Sequence, residues 1–256
     1  MKKVAFCAAA AAMCGSLLAV ESANVVGYNK APTDAGEVIY RVATFESVSG
    51  TDSTFKVGDI SVGEEDFAYW NFDYIATVDE YGSQEQYYTW DPDANAGKGG
   101  WFECDDLCTV DYDAPADSVE LPLNKGIIIC SQNGVDLTFA GAVMAGDTEL
   151  YGVAGEVTYT GNFTPAQLTL GDIVVGAEDF AYWNFDYIAT IDSYGGQEQY
   201  YTWDPDANAG EGGWFECDDL CTVDYDAPAN DVEFDPNMGF IFCTQNGVSL
   251  NIPSPL

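Results

Sequence analysis

An all-β fold, arranged as two tandem duplicated antiparallel β-sandwich or barrel-like domains, is what this chain of 256 residues predicts. Three observations carry that reading. A domain-sized segment occurs twice; aromatic and β-branched runs alternate with clusters of Gly, Asn and Asp; and no long stretch keeps a helical period. Hydrophobic residues make up 47% of the chain, enough to build cores and to argue against wholesale disorder.

From the N-terminus, Met1-Lys2-Lys3 leads into the short apolar run VAFCAAAAAMCGSLLAV. A basic start, an apolar stretch too short for a comfortable span and small residues at its end read as a secretory signal peptide over residues 1–23. Cys14 follows Met13 rather than Gly or Ala, which argues against a lipid anchor. The expected location is secreted or cell-surface. No later segment is apolar for long enough to cross a bilayer, so membrane insertion of the mature chain is not expected.

Residues 24–140 and 141–256 are then read as two copies of one β domain. GEEDFAYWNFDYIATVDEYGSQEQYYTWDPDANAGKGGWFECDDLCTVDYDAPAD, from Gly63, returns almost unchanged from Gly176, an offset of 113 residues. Similarity extends outward more weakly, with NKGIIICSQNGVDLTF matching NMGFIFCTQNGVSLNI, and YRVATFESVSG from Tyr40 set against YGVAGEVTYTG from Tyr151. A unit of this length can bury its own core, unlike the short repeats of solenoids. Asn133-Gly134 and Asn246-Gly247 each lie between apolar runs and predict a type I′ hairpin, since both central positions of that turn need positive φ. FAYWNFDYIATVD, EQYYTW and the stretch around GGWFEC predict further strands.

Charge narrows the function. The chain has 43 Asp and Glu against 7 Lys and Arg, a formal charge of −36 that would repel phosphate backbones, so nucleic acid is excluded as a partner. With no His, imidazole-dependent triads, His-ligated zinc and His proton shuttles are unavailable. No carboxylate pair stands out among so many acids as a glycosidase pair would, and no nucleophile motif is present, so no enzymatic activity is expected.

The start ANVVGY, the GDI before an aromatic strand, the WDPDANAG…GGWF centre and the late NKGIII or NMGFIF strand together resemble a group of uncharacterised secreted β-repeat proteins of some Gram-negative bacteria. The resemblance covers nearly the whole chain and implies export and a β-rich fold. It brings no catalytic residue, ligand or cofactor.

Three sets of candidate site residues remain. Asp91, Asp93 and Asn95, repeated as Asp204, Asp206 and Asn208, put oxygens at alternate positions of a Gly-rich loop, as calcium loops do. Ala96 and Ala209 stand where an EF-hand has Gly, and Glu103 and Glu216 come one position late to close the loop, so this is no EF-hand. Calcium and an ion-free Asx turn are both open readings. Trp90, Trp101, Trp203 and Trp214 belong to dense aromatic strands whose rings, beside Asp and Asn acceptors, suit stacking on a sugar; burial in a core is the competing reading. Cys104 with Cys108, and Cys217 with Cys221, can form a small disulfide loop in each copy if the turn brings their Cα atoms within about 7 Å, which leaves Cys130 and Cys243 as buried thiols or as a bridge between units or molecules; a Cys108–Cys130 pairing is a third option. The expected function is therefore a secreted, non-enzymatic acidic β-repeat protein, structural or adhesive at the cell surface. The alternative is an extracellular carbohydrate-binding module, calcium-dependent if the loops bind the ion. The partner is extracellular, either a glycan or a second copy.

Overall fold

The computed structural model describes residues 26–43, 54–63, 67–79, 81–123, 125–143, 147–176, 180–192 and 195–253. The expected signal peptide lies outside them. The described residues are all-β, and no helix among them is long and apolar enough to cross a membrane.

The first copy contributes β1 (Val26–Thr33), β2 (Glu37–Arg41), β3 (Thr54–Lys56), β4 (Ile60–Ser61), β5 (Tyr74–Val78) and β6 (Gln84–Asp91). It continues with β7 (Gly100–Cys104), β8 (Val110–Pro115), β9 (Glu120–Pro122), β10 (Ile127–Ser131) and β11 (Val135–Ala142). The second repeats the series as β12 (Thr148–Tyr151), β13 (Glu156–Gly161), β14 (Leu168–Thr169), β15 (Val174–Val175), β16 (Tyr187–Ile191) and β17 (Gln197–Asp204). β18 (Gly213–Cys217), β19 (Val223–Pro228), β20 (Glu233–Phe234), β21 (Gly239–Thr244) and β22 (Ser249–Ile252) complete it. β11 ends at Ala142 and β12 begins at Thr148.

In each copy the strands form small antiparallel sheets of the same topology. A six-stranded sheet has the order β2-β10-β5-β6-β7-β8, a three-stranded sheet β1-β11-β4, and β3 pairs with β9; the second copy repeats this strand for strand. The larger two sheets share one apolar cluster. Leu137, Phe139 and Ile60 from the small sheet meet Ile75, Tyr88, Trp101, Ile127 and Ile129 from the large one, with Phe67 between. β10 is buried at every position because both of its faces are covered, Ile127 and Ile129 in this cluster and Ile128 among Val38, Tyr40, Tyr74, Tyr87 and Tyr159 on the other side, which is why IIIC reads as a continuous apolar run.

The Asn-Gly sites are not hairpins. β10 pairs with β2 and β5, whereas β11 pairs with β1 and β4, so the chain passes at Asn133-Gly134 from one sheet to the other. β1 and β2 make the same passage alongside. Thr33 faces Val135 and Glu37 faces Ser131, a continuous register that makes these four strands one long ribbon bent through a corner. Gly36 N–H bonds the Ser131 carbonyl at 2.8 Å across the bend. Of each Asn-Gly pair only the glycine has positive φ, 75° at Gly134 and 67° at Gly247, so the type I′ geometry is not formed. Bends of this kind let strands switch sheets at the corner of a packed sheet pair.

The same register corrects the outer alignment of the repeat. Val38 and Tyr40 lie opposite Cys130 and Ile128, and Val157 and Tyr159 lie opposite Cys243 and Ile241, so Tyr40 is equivalent to Tyr159 rather than to Tyr151. These two tyrosines stack on each other, ring centroids 5.8 Å apart, where the copies meet. Gly126 N–H bonds the Tyr159 carbonyl at 2.8 Å, Val42 N–H bonds Asn237 at 3.1 Å, and Val42 is buried in the second copy's core.

Candidate functional site

Trp101 is the second residue of β7 and Trp214 the second of β18, both fully buried. Trp101 packs against Phe67 at 5.6 Å and donates its indole N–H to the Ile60 carbonyl at 3.1 Å, tying the two sheets together. Trp90 and Trp203, on the neighbouring strands, are partly buried and meet these rings edge-on at 5.7 Å. Gly99 and Gly212 lie directly under Trp90 and Trp203, where a Cβ would overlap the indole. The four tryptophans expected as sugar platforms are thus core and core-edge residues, and Trp101 and Trp214 have no face free for a ligand. Their area is worth more inside a small sheet pair than outside it.

Other rings reach solvent. In the loop between Phe67 and Asp73 a short 3-10 turn, Tyr69–Asn71, leaves Trp70 47% exposed and Phe72 58% exposed. Phe72 is in the left-handed region (φ 61°, ψ 32°), an uncommon conformation for a bulky residue. It is held there from below. Asp73 is fully buried, and its carboxylate accepts from Ala68 N–H at 3.0 Å and from Gln132 N–H, at the ribbon's bend, at 2.7 Å. The second copy repeats the device at Trp183, Phe185 and Asp186, with Phe185 at φ 60°.

Tyr112 of the edge strand β8 completes the surface. Its ring is 58% exposed and packs at 5.3 Å on Phe102, while its hydroxyl bonds Tyr69 and Asp91. In the second copy the Tyr225 hydroxyl donates to Asp204 at 2.9 Å. Tyr112 is pushed up to about 12 by desolvation of its hydroxyl and by those two bonds; Tyr225 reaches about 12 chiefly through its bond to the Asp204 carboxylate. Both phenols therefore stay neutral donors at any ordinary pH. Each copy thus presents Trp70, Phe72 and Tyr112, or Trp183, Phe185 and Tyr225, on an acidic surface. No family model, curated protein or solved structure matches this chain. The exposed rings had a signal in FAYWNFDY, but strict strand alternation hid it, because the 3-10 turn breaks the alternation before β5 begins.

In the Asp and Asn loop, the Asp91 and Asn95 side chains build the turn, while Asp93 is exposed and contributes its backbone N–H. Asp91 is buried at the end of β6 and accepts from Asp93 N–H at 2.9 Å; Asn95 donates its amide to the Gly99 carbonyl at 2.9 Å. Asn95 and Ala96 both have positive φ, 53° and 60°. Asp204, Asp206 and Asn208 repeat these bonds, the first at 2.9 Å and the second at 2.8 Å. Among the described residues, no three His, Cys, Asp or Glu side chains converge as a metal site would require.

Cys104, Cys108, Cys130, Cys217, Cys221 and Cys243 are all buried, and all are free thiols in this structure. Cys104 ends β7 and Cys108 lies in the turn after it, whereas Cys130 comes from β10, three strands away from β7 in the same sheet. Cys108 and Cys104 share a hydrogen bond, and Cys130 lies beside Tyr74 and within electrostatic reach of Cys108.

Proposed function

We propose that this protein is an extracytoplasmic, non-enzymatic adhesive component, built from two sandwich- or barrel-like units, that holds a neutral or amino-bearing glycan at two equivalent aromatic surfaces. One observation carries the reading. Both copies hold a tryptophan and a phenylalanine outward on a backbone-strained loop pinned by a buried aspartate, at positions where burial would have been the cheaper choice. Flat rings flanked by Tyr112 and acidic acceptors match the apolar face and hydroxyl rim of a pyranose. The charge of −36 argues against anionic glycans and opposes self-association at low salt. Two sites on one chain add avidity on a polymeric ligand.

The test is retention on immobilised neutral and amino-sugar polysaccharides. Trp70→Ala with Trp183→Ala should abolish retention while leaving the circular dichroism spectrum and melting temperature as in the parent. Either single variant should bind more weakly than the parent but measurably. Full retention by the double variant would overturn the glycan reading. Glycan hydrolysis by the purified chain, lost on changing one carboxylate, would overturn the non-enzymatic one.

A further inference from the structure

The turn between β7 and β8 holds two cysteines in a fixed relation. Asp105 organises it: its carboxylate accepts from Leu107 N–H at 3.0 Å and Thr109 N–H at 2.7 Å, while Cys108 N–H bonds the Asp105 carbonyl at 3.0 Å. Cys108 takes φ 57° and so turns its side chain inward, where Sγ lies 3.9 Å from the Asp73 carbonyl oxygen. There it lies beside the Cys104 thiol. The second copy reproduces every part, with Cys221 at φ 56°, its Sγ 3.9 Å from the Asp186 oxygen and beside the Cys217 thiol. The third thiol of each copy is otherwise occupied: Cys130 lies 4.0 Å from the Gln132 amide and bonds the Tyr74 hydroxyl.

We propose that Cys104–Cys108 and Cys217–Cys221 are duplicated dithiol redox sites, which close to intraloop disulfides by exchange with small uncharged disulfides. Cys108 is the attacking sulfur. It sits in the turn between the exposed Leu107 and Thr109, whereas Cys104 lies back in strand β7, and the neighbouring Cys104 thiol holds it below the ordinary thiol range against burial and the nearby Asp73 and Asp105 charges. Cys108 thiolate attacks one sulfur of the incoming disulfide, whose S–S bond breaks and releases one thiolate. Cys104 then attacks Cys108 Sγ, expelling the second thiolate, and the Cys104 proton passes to a departing thiolate. Two protein thiols are oxidised and one small disulfide is reduced to two thiols, so electrons and protons balance.

The oxidant's charge matters because of what covers the thiols. Asp105, Asp106 and Leu107 form an exposed lid over sulfurs that are themselves buried, so exchange needs a local opening of that turn. An anionic disulfide approaching two adjacent aspartates on a chain of charge −36 is repelled; an uncharged one is not.

The native full chain is treated with hydroxyethyl disulfide or with glutathione disulfide, quenched by alkylation and mapped after cleavage at acidic residues. Expected are Cys104–Cys108 and Cys217–Cys221 linkages, Cys130 and Cys243 alkylated, and reversal by dithiothreitol. Glutathione disulfide should react several-fold more slowly in low salt, the gap closing as salt is added. Cys104→Ser with Cys217→Ser should trap the mixed disulfide on Cys108 and Cys221. Cys130→Ser should leave closure unchanged, a readout independent of whether the first variant folds. Linkage of Cys108 to Cys130, or thiols that stay reduced in the native chain while the denatured chain oxidises, would overturn the proposal.

Discussion

Two tryptophans in one copy show how far a residue's role depends on its place. Trp101 is enclosed by Phe67 and Trp90 and bonds Ile60; Trp70, in a short turn, stacks only edge-on with Tyr69 at 5.0 Å. Trp101→Ala should therefore destabilise the fold by about 3–5 kcal/mol in denaturant titration, the usual cost of deleting a buried ring. Trp70→Ala should stay within about 0.5 kcal/mol of the parent, as surface changes do. Both belong to aromatic runs of similar composition, so the residue type was legible and the exposure was not. The Asp-Asn loop yields a second prediction. Because Asp91 and Asn95 already serve the turn, calcium and chelator should give the same melting temperature; a rise in calcium with about two ions per chain would instead make these loops ion sites.

At the scale of elements, the strands themselves were readable: β5, β6 and β7 fall where the aromatic and β-branched runs predicted. Pairing was not readable in the same way. IIICSQNGVDLTF carries every local mark of a hairpin, yet β10 finds partners on both sides, in β2 and β5, its end pairs being Ile127 with Arg41 and Ser131 with Glu37 on one side and Ile127 with Thr77 on the other, and β11 is left to pair elsewhere. The contact between copies depends equally on distant pairing. A Cβ on Gly239 would lie 2.7 Å from the Tyr40 carbonyl oxygen, a backbone atom that cannot swing aside. Gly239→Ala should accordingly cost about 1–3 kcal/mol, the range for overpacking a tight contact. Gly176→Ala is the matched control, since its Cβ meets nothing within 4 Å, and it should leave the denaturation midpoint unchanged.

Across the whole molecule, buried phenols and unbalanced charge set the response to solution conditions. Tyr74 and Tyr88 are pushed up to about 12, and Tyr187 is raised too, mainly by burial. For a group whose folded value exceeds its unfolded value near 10, the stabilisation is fully present below pH 10 and is lost as pH rises through the folded value. Cooperative unfolding is thus expected between about pH 10 and 12, with tyrosine ionisation and loss of β signal coinciding. Ionisation of exposed tyrosines well before any loss of structure, with the fold intact above that window, would contradict it. Raising salt from about 0.01 to 0.5 M should increase the melting temperature, because shortening the Debye length screens repulsion among the carboxylates.

The linear order of residues sufficed for the all-β class, the duplication, the acidity and the absence of imidazole chemistry, since each is written in local periodicity, self-similarity or composition. Long-range packing was needed for the sheet-switching ribbon at Asn133-Gly134, for the burial of Trp101 beside the exposure of Trp70, for the stacking of Tyr40 on Tyr159 and for bringing Cys130 within electrostatic reach of Cys108. Local sequence specifies how each segment bends and which of its faces are apolar. Which distant segment then covers that face is settled by competition among all the strands of the chain, and that competition decides which rings and thiols are left for function.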